Sequence, residues 1–267
     1  MKKVTTLILG LLAITIIYDG CSIVPLTGRR QMNMFPESEM VGMGLTSYQE
    51  FMKENPVSKD RNTTAMVKEI GNNIAQAVTK YMTENNLQDR LAGYQWEFNL
   101  IDDKVANAWC MPGGKVVVYT GILPITQDAN GLAVVMSHEI AHAVARHGNE
   151  RMSQQMLVQF GAVALSEAVS QKPEETQNLF MMAYGAGSQL GVMLPYSRDH
   201  ELEADKMGLI FMAMAGYNPE SAVAFWERME AAGGAKPPEF LSTHPADKTR
   251  INKIKAALPE AMQYYNK

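Results

Sequence analysis

The chain has 267 residues, of which 46% are hydrophobic, and a formal net charge of −4 at pH 7. Its length allows one or two domains with a substantial core. A nucleic-acid-binding surface needs a concentrated basic face, so the acidic balance predicts no nucleic-acid partner. The sequence contains only two cysteines, which excludes a disulfide-rich scaffold.

The N-terminus has the pattern of an export signal. Two lysines precede an apolar run over residues 4–17, and Cys21 follows a glycine. The run is too short to span a membrane comfortably, so residues 1–20 are predicted to be a signal peptide of the lipoprotein type, with Cys21 lipidated. The atypical Tyr18-Asp19 leaves an ordinary secretory signal or an uncleaved anchor open. Residues 21–36 are then predicted to be a lipid-anchored linker.

The remaining chain predicts helices around a small sheet. Helical spacing begins near Glu37, and an apolar stripe predicts a helix over 62–84. Alternating apolar and polar residues over 94–101 predict a half-buried strand, and the β-branched run from Lys115 predicts another. Further helices are predicted over 130–147, 153–171, 174–190, 199–215, 219–231 and 247–258. We therefore expect an α+β, mostly α-helical fold with a small sheet, and one domain over 37–267.

The sequence His-Glu-Ile-Ala-His, residues 138–142, predicts a metal site. His138 and His142 are four residues apart, so on a helix both imidazoles project from one face, and Glu139 lies one step round. The surrounding helix is apolar on nearly every side, where unpaired polar groups cost several kcal/mol. The alternative is a chance HExxH pattern on a surface helix. His147 misses the register of a third ligand, so we expect it at the helix end, near the C-terminal carbonyls.

The stretch SRDHELEAD, residues 197–205, offers candidates for the third ligand. Helical spacing places Asp199 and Glu203 on a solvated face and directs His200 away from Glu201. Glu201 and Asp205 share the apolar face, where two carboxylates need an explanation. The longer Glu201 is predicted to ligate the metal, and Asp205 to orient a ligand imidazole. The alternative is that both are ordinary helix carboxylates.

Four segments resemble metallopeptidase family 48, which includes HtpX, the Oma proteases and CAAX prenyl proteases. They are PGGKVVVYTGIL (112–123), MSHEIAH (136–142), SRDHELEADKMG (197–208) and STHPADKTRI (242–251). The resemblance implies a zincin of the gluzincin type, with one Zn²⁺ per chain on His138, His142 and Glu201, and with Asp205 behind them. Envelope lipoproteins of the LoiP and BepA type are expected to be the most similar members, and no tetratricopeptide array is expected here.

These features predict a zinc-dependent endopeptidase that hydrolyses peptide bonds in unfolded or misassembled cell-envelope proteins. Glu139 would activate a zinc-bound water as general base. The alternative is a zinc-stabilised chaperone-like or latent binding lipoprotein that assists outer-membrane protein assembly. The expected location is the bacterial cell envelope, at the outer membrane facing the periplasm, with membrane attachment through lipidated Cys21.

Other residues are assigned to substrate and regulation. The strand 115–119 is expected to pair with an extended substrate, with Gly114, Val116 and Asn107 as substrate-binding residues. His244 and Arg250 have two open interpretations. His244 is an additional or regulatory ligand and Arg250 an oxyanion donor or loop anchor, or both serve only local capping and salt-bridging. Residues 172–196 are a candidate lid.

Overall fold

The computed structural model describes residues 21–233 and 238–265, so the predicted signal peptide lies outside the described residues. The strands are β1 Cys21–Ile23, β2 Arg30–Met32, β3 Glu97–Ile101, β4 Ala108–Met111 and β5 Lys115–Tyr119. The helices are α1 Glu37–Glu54, α2 Arg61–Glu84, α3 Leu123–Thr126, α4 Ala129–Ala145, α5 His147–Val169, α6 Glu174–Ser188, α7 Leu194–Met214, α8 Ser221–Ala232, α9 Glu239–Thr243 and α10 Lys248–Tyr265. The predicted mostly helical α+β fold is confirmed.

The described chain forms two compact units. The larger unit contains residues 25–27, 37–145 and the described residues from 201 onward. The smaller unit contains residues 21–24, 28–36 and 146–200. The prediction of one peptidase domain over 37–267 stays a prediction.

Helix α2 is close to its predicted span because its start signal is strong. Asp60 caps it by accepting hydrogen bonds from the backbone N–H groups of Asn62 and Thr63, both at 3.1 Å. The buried side of the helix faces β3, where a Cβ on Gly71 would overlap the ring of Phe98. The glycine therefore lets the helix approach the sheet closely.

The sheet of the larger unit has the order β3-β5-β4. Strand β5 runs parallel to β3 and antiparallel to β4, so its backbone is paired on both sides. The prediction that residues 115–119 pair with a substrate is therefore wrong, and the inward-facing Val116 is fully buried. Gly114 lies in the preceding turn with φ +84°, against the ring of Trp96. Strand β4, which the sequence analysis did not predict, lies at an edge of the sheet.

Helix α4 is buried along nearly its whole length, as its apolar sequence requires. It ends at Ala145, earlier than predicted, because Arg146 adopts the left-handed conformation with φ +64°. His147 starts α5 and is 1% exposed. Its predicted place at the end of the preceding helix is therefore wrong. Its ring instead stacks on the ring of His200, with 4.3 Å between centroids.

The smaller unit includes most of the segment predicted to be a linker, residues 21–24 and 28–36. Strands β1 and β2 form an antiparallel ladder, with Cys21 opposite Met32. The N–H of Met34 donates to Ser153 Oγ at 2.9 Å, which fixes the end of the segment to α5. The hydroxyl of Tyr184 donates to the carbonyl of Val158 at 2.9 Å and joins α6 to α5. Among the described residues, no helix is both long and apolar enough to cross a membrane.

Candidate metal centre

Helix α4 brings the two histidines of the HExxH sequence together. The Nε2 atoms of His138 and His142 lie 3.0 Å apart. His138 is buried, and His142 is partly buried. Two ring nitrogens at this distance must share a proton or a cation, since two lone pairs facing each other repel.

Helix α7 adds the third donor. Glu201 Oε1 lies 3.3 Å from His142 Nε2, and Glu201 Oε2 lies 3.4 Å from His138 Nε2. The two helices come this close because α7 presents Gly208 to α4, where a Cβ would stand 3.1 Å from the backbone nitrogen of His138. The carboxylate predicted to complete the site is therefore beside both imidazoles.

The donor set fits one metal ion. His138, His142, Glu201 and His244 each offer a ligand atom, and these atoms all lie within 4.8 Å of one another. Glu201 Oε1 is buried without a hydrogen-bond partner among the described residues. Imidazole nitrogens and a carboxylate oxygen are donors that zinc accepts at about 2.0–2.2 Å. An ion among them would satisfy the orphaned oxygen and separate the facing nitrogens.

Asp205 lies behind His138, on the side away from the other donors. Its Oδ1 is 3.0 Å from His138 Nδ1, so it can accept the second ring proton and leave Nε2 free for an ion. Burial would lower the pKa of His138, but the hydrogen bonds and charges of Asp205 and Glu201 outweigh it and raise this pKa to about 9. A proton and a cation therefore compete for His138 Nε2.

Arg250, from the first turn of α10, closes the cluster. Its Nε and Nη2 donate to the two oxygens of Asp205, each at 2.7 Å, and its Nη1 donates to the carbonyl of Pro245 at 3.0 Å. Its guanidinium lies 3.5 Å from the ring centre of Trp226. Burial alone would raise the pKa of Asp205, but the charges and hydrogen bonds of Arg250 and His138 together outweigh it, and this pKa is lowered. These contacts favour the loop-anchor interpretation over an oxyanion donor.

His244 lies inside the site, directly after α9. Its Nδ1 is 2.9 Å from Glu201 Oε2 and 3.2 Å from His138 Nε2. Its ring stacks on Phe240 with 4.4 Å between centroids. This geometry favours the interpretation of His244 as an additional ligand over local capping.

Glu139 points into the same cluster without belonging to the donor set. Its Oε1 lies 3.4 Å from His244 Nε2 and has no hydrogen-bond partner among the described residues. Burial raises the pKa of Glu139, and this outweighs the opposite effect of nearby His244 and His138. A buried carboxylate with a raised pKa is suited to accept a proton near neutral pH.

The other candidates of the stretch 197–205 lie elsewhere. Asp199 is exposed, as predicted. His200 is buried against Glu150, with 2.8 Å between Nε2 and Oε2. Glu203 was expected on a solvated face, and that prediction is wrong, because it is 6% exposed and accepts a hydrogen bond from the hydroxyl of Thr27. The contact comes from a distant part of the chain that helical spacing does not reveal.

Strand β4 borders the cluster, although sequence analysis missed it. The carboxylate of Glu139 contributes to raising the pKa of Cys110 on β4, after burial as the main cause. Just before the strand, Asn107 Nδ2 donates to Glu239 at 3.3 Å and the carbonyl of Ala106 accepts from the N–H of Phe240 at 3.1 Å. Asn107 thus contacts α9, and its predicted substrate-binding role stays a prediction.

Comparisons with known proteins agree with this geometry. The sequence profile described as Peptidase family M48 matches residues 68–258. Mitochondrial metalloendopeptidase OMA1 of Schizosaccharomyces pombe is 35% identical over 242 residues, which cover 89% of this chain and 66% of that protein. Human metalloendopeptidase OMA1, mitochondrial, is 28% identical over 264 residues, covering 95% of this chain and 49% of that protein. The Escherichia coli beta-barrel assembly-enhancing protease is 28% identical over 186 residues, which cover 65% of this chain and 37% of that protein.

These relatives correct two expectations. The chain matches several mitochondrial OMA1 proteins over longer stretches than the bacterial protease, so the predicted location at a bacterial outer membrane is wrong. For the same reason, the expected greatest similarity to bacterial envelope lipoproteins is not supported. Lipidation of Cys21 stays a prediction. The chain spans about two thirds of the S. pombe relative and about half of the human one.

The family itself is established by the extent of the match. The profile covers well over half of the chain and includes α4 with its HExxH sequence, α7 with Glu201, and His244. The 35% identity to the S. pombe protein extends over most of the chain. The chain belongs to peptidase family M48.

Proposed function

We propose that this chain is a zinc-dependent endopeptidase that acts on unfolded or misassembled proteins. The observation that carries the proposal is the position of Glu139, a buried carboxylate outside the donor set whose Oε1 has no hydrogen-bond partner among the described residues. A purely structural metal site has no use for a free base beside its ligands. The family and the names of the relatives support the same reaction class.

His138, His142 and Glu201 would hold the ion, with Asp205 fixing the ring of His138. When bound, zinc supplies a Lewis acid that polarises a peptide carbonyl. Glu139 takes a proton from the attacking water and transfers it to the leaving amine. Arg250 keeps Asp205 charged through its two short hydrogen bonds, which holds the orientation of the imidazole.

An extended substrate is proposed to pair with β4. In the described sheet, β4 pairs with β5 on one side, and its other edge is open. Cys110 on β4 lies near Glu139. Pairing through backbone groups depends little on side chains, since each peptide unit offers the same donor and acceptor. Folded proteins do not present a free extended segment, so this mode favours unfolded chains.

The proposal is tested by cleavage of an unfolded casein substrate. Replacing the general base, Glu139→Gln, should reduce kcat by roughly a hundredfold or more while the zinc content stays that of the unaltered chain. Glu203→Gln is a matched control, because Glu203 is also buried but accepts from Thr27, outside the donor set. Equal cleavage by the unaltered chain and Glu139→Gln would refute the mechanism.

A latent enzyme is a second form of the proposal, and the position of His244 favours it. With His244 beside Glu201 and His138, four protein side chains surround the metal position, whereas catalytic zinc sites keep one position open. His244→Ala should therefore increase casein cleavage and leave zinc bound. If His244→Ala binds zinc but neither it nor the unaltered chain cleaves casein, a zinc-stabilised binding protein is the better account.

A further inference from the structure

The smaller unit exposes an apolar surface along its helical hairpin, α5 and α6, and the turn of π-helix, Gln189–Met193, that follows α6. We call the side chains of Phe160, Val163, Leu179, Met182 and Leu190 the hairpin surface. Each of them is at least 60% exposed. Single exposed apolar side chains are ordinary, but a group of large ones on adjoining helices marks an interaction surface.

Charged residues are absent from the sequence that builds this surface. Residues 152–166 and 176–197 contain no Asp, Glu, Lys or Arg. The nearest charges lie at the turn between the helices, from Glu167 to Glu175, and at the base of the hairpin, at Arg151 and Arg198. The charges at the turn have mixed signs, whereas the two nearest charges at the base are both arginines, so no single sign of charge flanks the uncharged surface.

The surface lies beside the start of the described chain. A groove of about 480 Å³ beside it is lined by residues that include Met32, Leu157, Val192 and Tyr196. Met32 is the ladder partner of Cys21. The apolar run over residues 4–17 ends shortly before Cys21. Cys21, where the predicted membrane attachment joins the described chain, and the hairpin surface therefore belong to the same small unit.

We propose that the hairpin surface lies against the surface of a phospholipid bilayer. The uncharged hairpin loses unfavourable contact with water there. Stable attachment to a membrane surface usually requires two signals, and the hairpin supplies a second one beside Cys21, the site of the predicted attachment. No described helix can cross a membrane, so the hairpin rests at the interface.

Two other possible partners of the hairpin surface explain fewer of these features. An extended polypeptide binds through the open edge of a sheet, whereas the hairpin is helical and its backbone groups are already paired within the helices. A second copy of the chain would cover the surface, but it would not explain why the surface lies beside Cys21, where the predicted membrane attachment joins the described chain. A lipid surface explains both features.

The test places a tryptophan on the hairpin surface of the full chain and measures its contact with lipid. The variant Met182→Trp is mixed with vesicles of phosphatidylcholine, with and without bromine on the acyl chains. Bromine quenches tryptophan at short range, so the brominated vesicles should cause a loss of emission. Phe160→Trp, on the other helix of the hairpin, should behave in the same way.

The matched control is Met43→Trp, because Met43 is an exposed methionine on α1 in the larger unit. Its emission should change no more than that of the unaltered chain, which has three tryptophans. Equal quenching of the hairpin variants and the control would overturn the proposal. A blue shift of Met182→Trp without lipid, together with sedimentation as a dimer, would also overturn it and assign the surface to a second copy.

Discussion

Two buried carboxylates of this protein have the same kinds of partner but different surroundings. Asp205 lies between Arg250 and His138 in the larger unit, and Glu150 lies between Arg29 and His200 in the smaller one. In both clusters the arginine donates two hydrogen bonds to the carboxylate. Only the cluster around Asp205 is assigned a metal.

The difference lies at the second nitrogen of each imidazole. His138 Nε2 faces His142 Nε2 at 3.0 Å and Glu201 Oε2 at 3.4 Å, which makes a set of donor atoms that one metal ion can share. The second nitrogen of His200, Nδ1, is buried with no hydrogen-bond partner among the described residues, and the ring stacks on His147. One carboxylate therefore orients a ligand, and the other completes an internal charge cluster. A buried His–carboxylate–Arg arrangement alone does not predict a metal site.

The two arginines provide the largest expected difference in stability. Arg250→Ala leaves Asp205 buried without its compensating charge, which should reduce the free energy of unfolding by about 3–5 kcal/mol. Arg29 is 24% exposed at its side chain, so Arg29→Ala lets water reach Glu150 and should cost less, about 1–2 kcal/mol. Urea unfolding followed by circular dichroism measures both. If the two variants lose the same free energy of unfolding, or if Arg29→Ala loses more, the account is contradicted.

The pH dependence of stability should separate Glu150 from ordinary surface carboxylates. Burial alone would raise the pKa of Glu150, but the hydrogen bonds from Arg29 and His200 outweigh it and lower this pKa from 4.5 to about 2. Its contribution is therefore fully present above pH 4.5 and is lost as the pH falls toward 2, with a total of about 3 kcal/mol.

Glu150→Gln should flatten this part of the pH profile, while Glu175→Gln, at an exposed position, should leave it unchanged. Urea unfolding at several pH values between 2 and 6 gives the two profiles. If Glu150→Gln keeps the steepness of the unaltered chain, Glu150 does not contribute the acid-sensitive stability assigned to it.

Local spacing was enough to predict the central donors. The four-residue step from His138 to His142, and from Glu201 to Asp205, places each pair on one side of a helix whatever the rest of the fold does. The apolar surroundings of α4 predicted its burial. The fold class followed in the same way, from the change between helical and alternating periods along the chain.

Contacts between distant residues account for what sequence analysis missed. Glu203 is buried by Thr27, far away in the sequence, and Arg250 is anchored by Asp205. Strand β5 lies at the centre of its sheet because it pairs with β3 in parallel, although β4 comes between these two strands in the sequence. Likewise, only the folded chain shows that His244 lies beside Glu201 and His138. None of these pairings has a local periodicity.

The zinc content of the purified chain tests the central claim most directly. Elemental analysis should find about one zinc per chain in the unaltered protein and far less in Glu201→Gln, which removes a charged donor. Glu203→Gln and Glu150→Gln should keep the zinc, because their carboxylates lie outside the donor set. Full zinc content in Glu201→Gln, or its loss in either control, would contradict the assignment of the metal to His138, His142 and Glu201.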